Sequence, residues 1–292
     1  MWRKLSSHPI TRSPAFGAGL VLVLVMVSIM LGSRNVFAIF NLEGLAIVVG
    51  GVIVSAYMSY DSTDVRKALL AIRHMFKKKQ ETQEILPRDM MAIIYCARLL
   101  KDKGMRSLES VIAKSGLTDP FVKYGLNMAV SDYPPEDVRE MMETAVEAAY
   151  ERDSIPVEIL QSMAGHAPAF GMVGTLVGMV ILLSNFSGNM AEVGSSLGVA
   201  FLSTLYGVLS ARMVYIPAAT KLRQEVDSRR FRNYLITEGI VMLSSGKTPM
   251  YIQDRLNSFL CPEARNYIDV LNADYPDDED GPHVPFHMAH VA

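Results

Sequence analysis

Four long apolar runs constrain this chain more than any other feature. Ala15 to Gly32 and Gly44 to Tyr60 contain no charged residue, and a helix needs about 17 to 25 residues to cross a bilayer. Gly165 to Phe186 and Val193 to Ile216 form a second pair, separated only by SGNMAE. The runs predict four transmembrane helices in two hairpins, and no strand pattern competes with a helical fold.

The first run resembles a secretory signal because Arg3 and Lys4 precede it. It lacks a convincing cleavage site, and a second span follows almost at once, so we interpret it as a retained helix. Lysines and arginines collect before the first run and after the second and fourth. By the positive-inside rule, both termini and the long segment from Asp61 to Ala164 are predicted to be cytoplasmic.

The predicted organisation is therefore all-α, with four transmembrane helices and a large helical cytoplasmic domain. Its segments are a cytoplasmic N-terminus (1–14), a first hairpin (15–60), a helical domain (61–164), a second hairpin (165–217), a helical extension (218–271) and a disordered tail (272–292). Breaks in the helical domain are expected at Pro87, Gly104, Gly116 and the Pro134-Pro135 pair.

Composition excludes several classes of function. A net charge of −2 does not call for a nucleic-acid partner. Cys96 and Cys261 are expected to be free thiols, and no cysteine or histidine spacing indicates a metal site. Phosphate-binding loops, dinucleotide-binding motifs and nucleophile elbows are missing from the sequence, so we expect neither an enzyme nor a cofactor.

The membrane segments carry no acidic residue near mid-depth, although an ion path normally needs an ionisable group there. If the chain conducts ions, a partner must supply the carboxylate. The third run offers a face of Gly171, Thr175 and Gly178, and the fourth a face of Ala200, Thr204, Gly207 and Ala211, with Ser203 beside it. Two interpretations stay open: close helix packing, or hydroxyls that line an ion path around a partner helix.

Prolines stand near the cytoplasmic ends of the second hairpin. Pro168 lies at the start of the third run and Pro217 at the end of the fourth. Each is consistent with a helix boundary or with a flexible joint, and the helical pattern that continues after Pro217 favours the joint there.

The string APAFGMVGTLVG from Ala167, followed by STLYG from Ser203, resembles the core of the MotA/TolQ/ExbB proton-channel superfamily. The N-terminal hairpin and the IVVGG string from Ile47 resemble its MotA/PomA branch, whereas ExbB and TolQ have one helix before the cytoplasmic domain. This resemblance implies five copies around two MotB/PomB-type subunits in the bacterial inner membrane. The partner's aspartate would pass H+ or Na+, and the ring would drive the rotor protein FliG.

The resemblance also assigns residues. It places Thr175, Thr204 and Ser203 at the ion path, and Pro168 and Pro217 at coupling joints. The string LKDKGMRSLE from Leu100 matches a rotor-facing motif, which implies that Lys101 and Glu109 contact the rotor, with Arg98 and Arg106 beside them. Asp102 departs from a usually basic position. Two alternatives remain, an ExbB/TolQ-like energiser of an outer-membrane system and a structural scaffold around a partner helix.

Overall fold

The computed structural model describes residues 40–74, 82–114, 119–131, 133–184 and 190–259. All regular structure in these ranges is helical, which confirms the all-α prediction. The helices are α1 (Leu42–Ser59), α2 (Ser62–His74), α3 (Thr82–Lys103), α4 (Met105–Lys114), α5 (Pro120–Val130), α6 (Pro135–Ser184), α7 (Met190–Ser210), α8 (Ile216–Ser244) and α9 (Pro249–Asn257).

Three of the described helices are long and apolar enough to cross a membrane. They are Leu42–Ser59, Pro135–Ser184 and the continuous helix Val193–Ser244, which contains most of α7 and all of α8. These correspond to the second, third and fourth apolar runs. The first run, 15–32, lies outside the described residues, so the count of four remains a prediction.

The chain divides into two compact units. Unit 1 comprises residues 1–78 and 153–225, and unit 2 comprises residues 79–152 and 226–292, so two of the three boundaries fall inside helices, one in α6 and one in α8. Unit 1 contains α1, α2, α7, the apolar part of α6 and the first part of α8. Unit 2 contains α3, α4, α5 and α9 with the remaining parts of α6 and α8.

In unit 1, α1 is tied to the two helices of the second hairpin. Asn41 caps α1 by accepting a hydrogen bond from the backbone N–H of Gly44, and its own N–H donates to the Tyr206 hydroxyl at 2.9 Å. Near the other end of α1, Ser55 Oγ lies 3.0 Å from His166 Nδ1 on α6. Polar contacts therefore fix α1 against α6 and α7 at two depths.

Unit 2 folds around an apolar core to which all of its helices contribute. The largest fully buried side chains include Met90, Ile93, Leu108, Leu126, Met142, Leu235, Ile236 and Ile240. Cys96 belongs to the same core, and burial raises the pKa of its thiol to about 12, so this cysteine is a small apolar residue rather than a nucleophile.

A buried ion cluster holds three helices of unit 2 together. Arg232 on α8 binds Asp89 on α3 and, at 2.6 Å, Asp119, whose side chain also caps the N-terminus of α5. Burial raises the pKa of the Asp89 carboxyl, and the neighbouring Arg232 guanidinium opposes that shift. One arginine therefore fixes the relative positions of α3, α5 and α8.

The predicted breaks in the helical domain have mixed outcomes. Gly104 separates α3 from α4 with a φ of +77°, a left-handed conformation that favours glycine, and Pro135 begins α6, so both of these breaks are confirmed. Pro87 was predicted to be a break, but α3 continues through it. Gly116 lies outside the described residues.

Candidate ion-pathway site

Small residues bring the backbones of α6 and α7 into direct contact. A Cβ atom added at Gly207 would lie 2.6 Å from the Ala167 carbonyl oxygen, and one at Gly178 would lie 2.6 Å from the Ala200 nitrogen. A side chain at either position would force the helices apart. The predicted small faces of the two helices are therefore confirmed as a packing surface.

Two threonine hydroxyls meet across this surface. Thr175 Oγ1 lies 2.6 Å from Thr204 Oγ1 and 3.0 Å from the carbonyl oxygen of Ala200. It also lies 3.2 Å from the carbonyl oxygen of Gly171, so the pair is surrounded by backbone acceptors. Four oxygen atoms thus converge on one spot between α6 and α7.

The contacts of this threonine pair fit the packing interpretation, and the ion-path interpretation remains a prediction. Its bonds to helix carbonyls stabilise the contact between α6 and α7. Thr204 nevertheless remains exposed and Thr175 only half-buried, so the pair is accessible from outside the contact between α6 and α7. Hydroxyl and carbonyl oxygens are ligands that hard cations such as Na+ accept, and the hydroxyls can also donate to a carboxylate.

The surface around the threonine pair is otherwise apolar. Met172 and Met179 flank Thr175 at helical spacing, and Phe201 and Val208 flank Thr204 in the same way; all four side chains are exposed. No Asp or Glu occurs between residues 159 and 184 or between 193 and 216. The surface therefore offers a polar spot in an apolar face but no group that could carry a negative charge.

Ser203 lies apart from this exposed surface. Its side chain is fully buried, and its hydroxyl donates to the Val199 carbonyl at 2.6 Å. A Cβ atom added at Gly44 of α1 would lie 2.8 Å from Ser203 Oγ, and one added at Gly174 of α6 would overlap the same hydroxyl. Adjacency in sequence suggested a place beside Thr204, but successive helical residues point about 100° apart, and Ser203 packs toward α1.

Pro168 and Pro217 both lie inside continuous helices, so the helix-boundary interpretation is wrong for both. Pro168 lies within α6, which runs without interruption from Pro135 to Ser184. Pro217 follows a π-helical turn, Ala211–Tyr215, in which the Ile216 N–H donates to the Ala211 carbonyl. The wider turn accommodates the proline, which lacks an N–H, and such π-bulges occur frequently at functional sites. Nothing in the pattern of residue types indicated this π-helical turn.

The residues assigned to the rotor lie on α3 and α4 of unit 2. Arg98, Lys101, Arg106 and Glu109 are all exposed. Arg98 and Lys101 line a groove of about 380 Å³ between α3 and α9, together with Asp102, Thr248, Pro249, Met250, Gln253 and Asp254. The α9 side of this groove was missed, because nothing in the sequence indicates that α9 packs beside the end of α3.

In the part of the chain that the structure describes, three helices are long and apolar enough to cross a membrane, and two of them present paired hydroxyls on an apolar face. Residues 113–232 match the MotA/TolQ/ExbB proton channel family.

Two curated relatives and a solved structure are similar to this chain over most of its length. Motility protein A of Borreliella burgdorferi is 28% identical over 87% of this chain and 94% of that protein. Chemotaxis protein PomA of Vibrio alginolyticus is 28% identical over 81% and 90%. The flagellar MotAB stator complex of Bacillus subtilis superposes with a TM-score of 0.72 at 26% identity, covering 86% of this chain and 96% of that chain.

Proposed function

We propose that this chain is the ion-channel subunit of a bacterial flagellar stator, which couples H+ or Na+ flow across the inner membrane to rotation of the motor. The observation that carries the proposal is the Thr175–Thr204 hydroxyl pair, held at 2.6 Å on an exposed and otherwise apolar face. The similarity to Motility protein A, to PomA and to a MotAB stator complex supports the same function.

The proposed path requires a second protein, because the apolar segments hold no acidic residue. A MotB/PomB-type subunit with one transmembrane helix and a central aspartate would supply the carboxylate. The threonine hydroxyls would hydrogen-bond to that aspartate or coordinate Na+ as it arrives, replacing part of the hydration shell. The ion is the transported substrate, and the proposal includes no other cofactor.

The proposed assembly has five copies of this chain around two partner helices, with both termini in the cytoplasm. Pro168 and Pro217 lie in the two helices that contain the hydroxyls. In this proposal the helices bend at these prolines as the partner carboxylate changes charge. The π-helical turn before Pro217 supports this role, because it replaces the α-helical hydrogen-bond pattern just where the bend is needed.

Contact with the rotor protein FliG is proposed for the exposed charges of α3 and α4. Charge reversal by K101E or E109K is expected to reduce torque while leaving the amount of assembled complex unchanged, because both side chains are exposed. The matched control is K123E, which reverses an exposed lysine on α5. Equal torque in K101E, E109K and the parental strain would remove Lys101 and Glu109 from the rotor surface.

Co-production with the partner tests the channel function itself. Cells that contain this chain and a single-span protein with a central aspartate are expected to show ion-dependent growth inhibition when both are overproduced, and neither protein alone should do so. Swimming with and without sodium would then identify the ion. An ExbB/TolQ-like energiser is less well supported, because the named relatives are motility and chemotaxis proteins, and it would leave swimming unaffected by loss of this chain.

A further inference from the structure

Helix α2 carries basic side chains on the face that it exposes. Arg66, Lys67 and Arg73 are exposed, whereas Val65 and Ala68 on the opposite face are fully buried against the protein. The helix is therefore attached to unit 1 by one side and presents positive charge on the other. This arrangement leaves the basic face free to bind something outside the chain.

An apolar side chain lies among these cations. Leu70 is 52% exposed, and it falls four residues after Arg66 and three before Arg73, so the three side chains share one stripe of the helix. An exposed leucine between two arginines can reach the acyl chains of a membrane while the cations meet the headgroups.

The position of α2 places Arg66, the first residue of this stripe, close to the end of an apolar helix. The membrane-spanning helix α1 ends at Ser59, Tyr60 is extended with φ −134° and ψ 163°, and α2 begins at Ser62. Arg66 is only the seventh residue after Ser59. The headgroup region extends roughly 5–8 Å beyond the hydrocarbon, and the surface potential of anionic lipids decays over a Debye length of about 8 Å.

Acidic residues on this segment neutralise only part of the charge. Lys67 Nζ lies 2.8 Å from Asp64 Oδ1, and the Asp61 carboxylate accepts hydrogen bonds from the backbone N–H and the hydroxyl of Thr63. Within the part of the chain that the structure describes, Arg66 and Arg73 have no ion-pair partner. Their guanidinium groups are suited to bidentate binding of phosphate.

The positive-inside rule does not account for this arrangement. That rule requires only that lysines and arginines stay on the cytoplasmic side, whatever the direction of their side chains and whatever residues surround them. We propose that the Arg66, Leu70 and Arg73 stripe of α2 is a binding site for anionic phospholipids of the adjoining leaflet. The two guanidiniums hold headgroup phosphates, and Leu70 lies at the acyl boundary. The proposal does not depend on which ion the assembly conducts.

Lipid retention by the full chain, purified with its partner in mild detergent, tests this site. Native mass spectrometry would measure bound phosphatidylglycerol as the lipid is titrated in. The R66Q/R73Q variant is expected to weaken retention roughly tenfold or more, because two cations near the leaflet are lost. The R66K/R73K variant should keep much of the affinity, and L70S should weaken retention without changing the charge.

The matched control removes two positive charges elsewhere. K103Q/K123Q replaces two exposed lysines of unit 2 and is expected to retain phosphatidylglycerol like the parental chain. Equal retention by R66Q/R73Q and K103Q/K123Q would overturn the proposal. So would displacement of the lipid by millimolar inorganic phosphate, which would indicate a simple anion site. Loss of the oligomer in R66Q/R73Q would also overturn it, because the stripe would then be a contact between copies.

Discussion

Arg139 on α6 and Glu238 on α8 form a bidentate ion pair, with Nη1 2.8 Å from Oε1 and Nη2 3.2 Å from Oε2. Eight residues further along α6, Glu147 forms a second bidentate pair with Arg230, which lies eight residues earlier on α8. The two pairs have opposite polarity. They therefore fix both the antiparallel direction and the register of these helix segments in unit 2, since a shifted alignment would leave all four charges unpaired.

Exchanging the charges of the first pair tests this register. R139E alone is expected to lower the thermal stability of unit 2 by about 1 kcal/mol, since the pair is partly exposed and the substitution sets a second carboxylate against Glu238. R139E/E238R should recover most of this loss. Recovery should be incomplete because Arg139 also lies 3.4 Å from Glu143. Thermal unfolding in detergent would measure the effect.

The control for this exchange is E140R, which changes the charge of an exposed neighbour on α6. It should leave the unfolding temperature nearly unchanged. If R139E/E238R were as unstable as R139E alone, the pairing would not determine how these helix segments align.

Replacing Arg232 should have a larger effect than breaking either of those pairs. R232M leaves Asp89 and Asp119 without their cation in a site where all three side chains are at least four-fifths buried. Removing one member of a buried ion cluster typically costs about 3–5 kcal/mol. The expected result is a large fall in the unfolding temperature near pH 7.

The Arg232 variant should also respond to pH. Burial raises the pKa of Asp89 above its ordinary value of 3.8, and loss of Arg232 removes the opposing effect. When the pKa of an acid is higher in the folded state than in the unfolded state, its protonated form stabilises the fold at pH values below the unfolded-state pKa. This stabilisation is lost as the pH rises through the folded-state pKa. The difference in unfolding temperature between R232M and the parental chain should therefore shrink as the pH falls from 7 toward 4. A deficit that grew over this range would contradict the assignment.

Two adjacent glycines of α1 provide a matched pair of substitutions. A Cβ atom added at Gly51 would overlap the ring of Phe170 on α6, whereas one added at Gly50 would have no atom within 4 Å. G51A is expected to destabilise the contact between α1 and α6 by about 1–3 kcal/mol through overpacking. G50A should be neutral or slightly stabilising, since alanine favours helix over glycine. Folded yield in membranes would measure both, and equal yields would show that α1 does not approach Phe170 so closely.

The sequence predicted those helices whose existence depends on hydrophobicity alone. Long apolar runs predict membrane helices directly, and the extension of the fourth run into α8 was predicted as well. The break at Gly104 was predictable because glycine tolerates the left-handed conformation that ends α3. The continuity of α3 through Pro87 was not, since a pattern of residue types does not show which turn of a helix a proline occupies.

Side-chain direction limited what could be predicted about the site. Helical spacing placed Thr175 and Thr204 on the small-residue faces of their own helices, because one period relates residues on a face, but it did not predict that the two hydroxyls meet. The same spacing could not predict that Ser203 is buried while Thr204 is exposed, since burial of Ser203 depends on where α1 packs. The ion pairs of Arg139, Arg230 and Arg232 were also missed, because each joins residues about 80 to 140 positions apart in the sequence.

Ion flux in cells that produce this chain with its partner tests the central claim most directly, with Thr204 as the variable position. Valine has the shape of threonine without the hydroxyl, whereas serine keeps the hydroxyl without the methyl group. We predict that T204V abolishes most of the partner-dependent flux at normal protein levels and that T204S retains it. Full flux through T204V would contradict the assignment of the Thr175–Thr204 hydroxyl pair to the ion path.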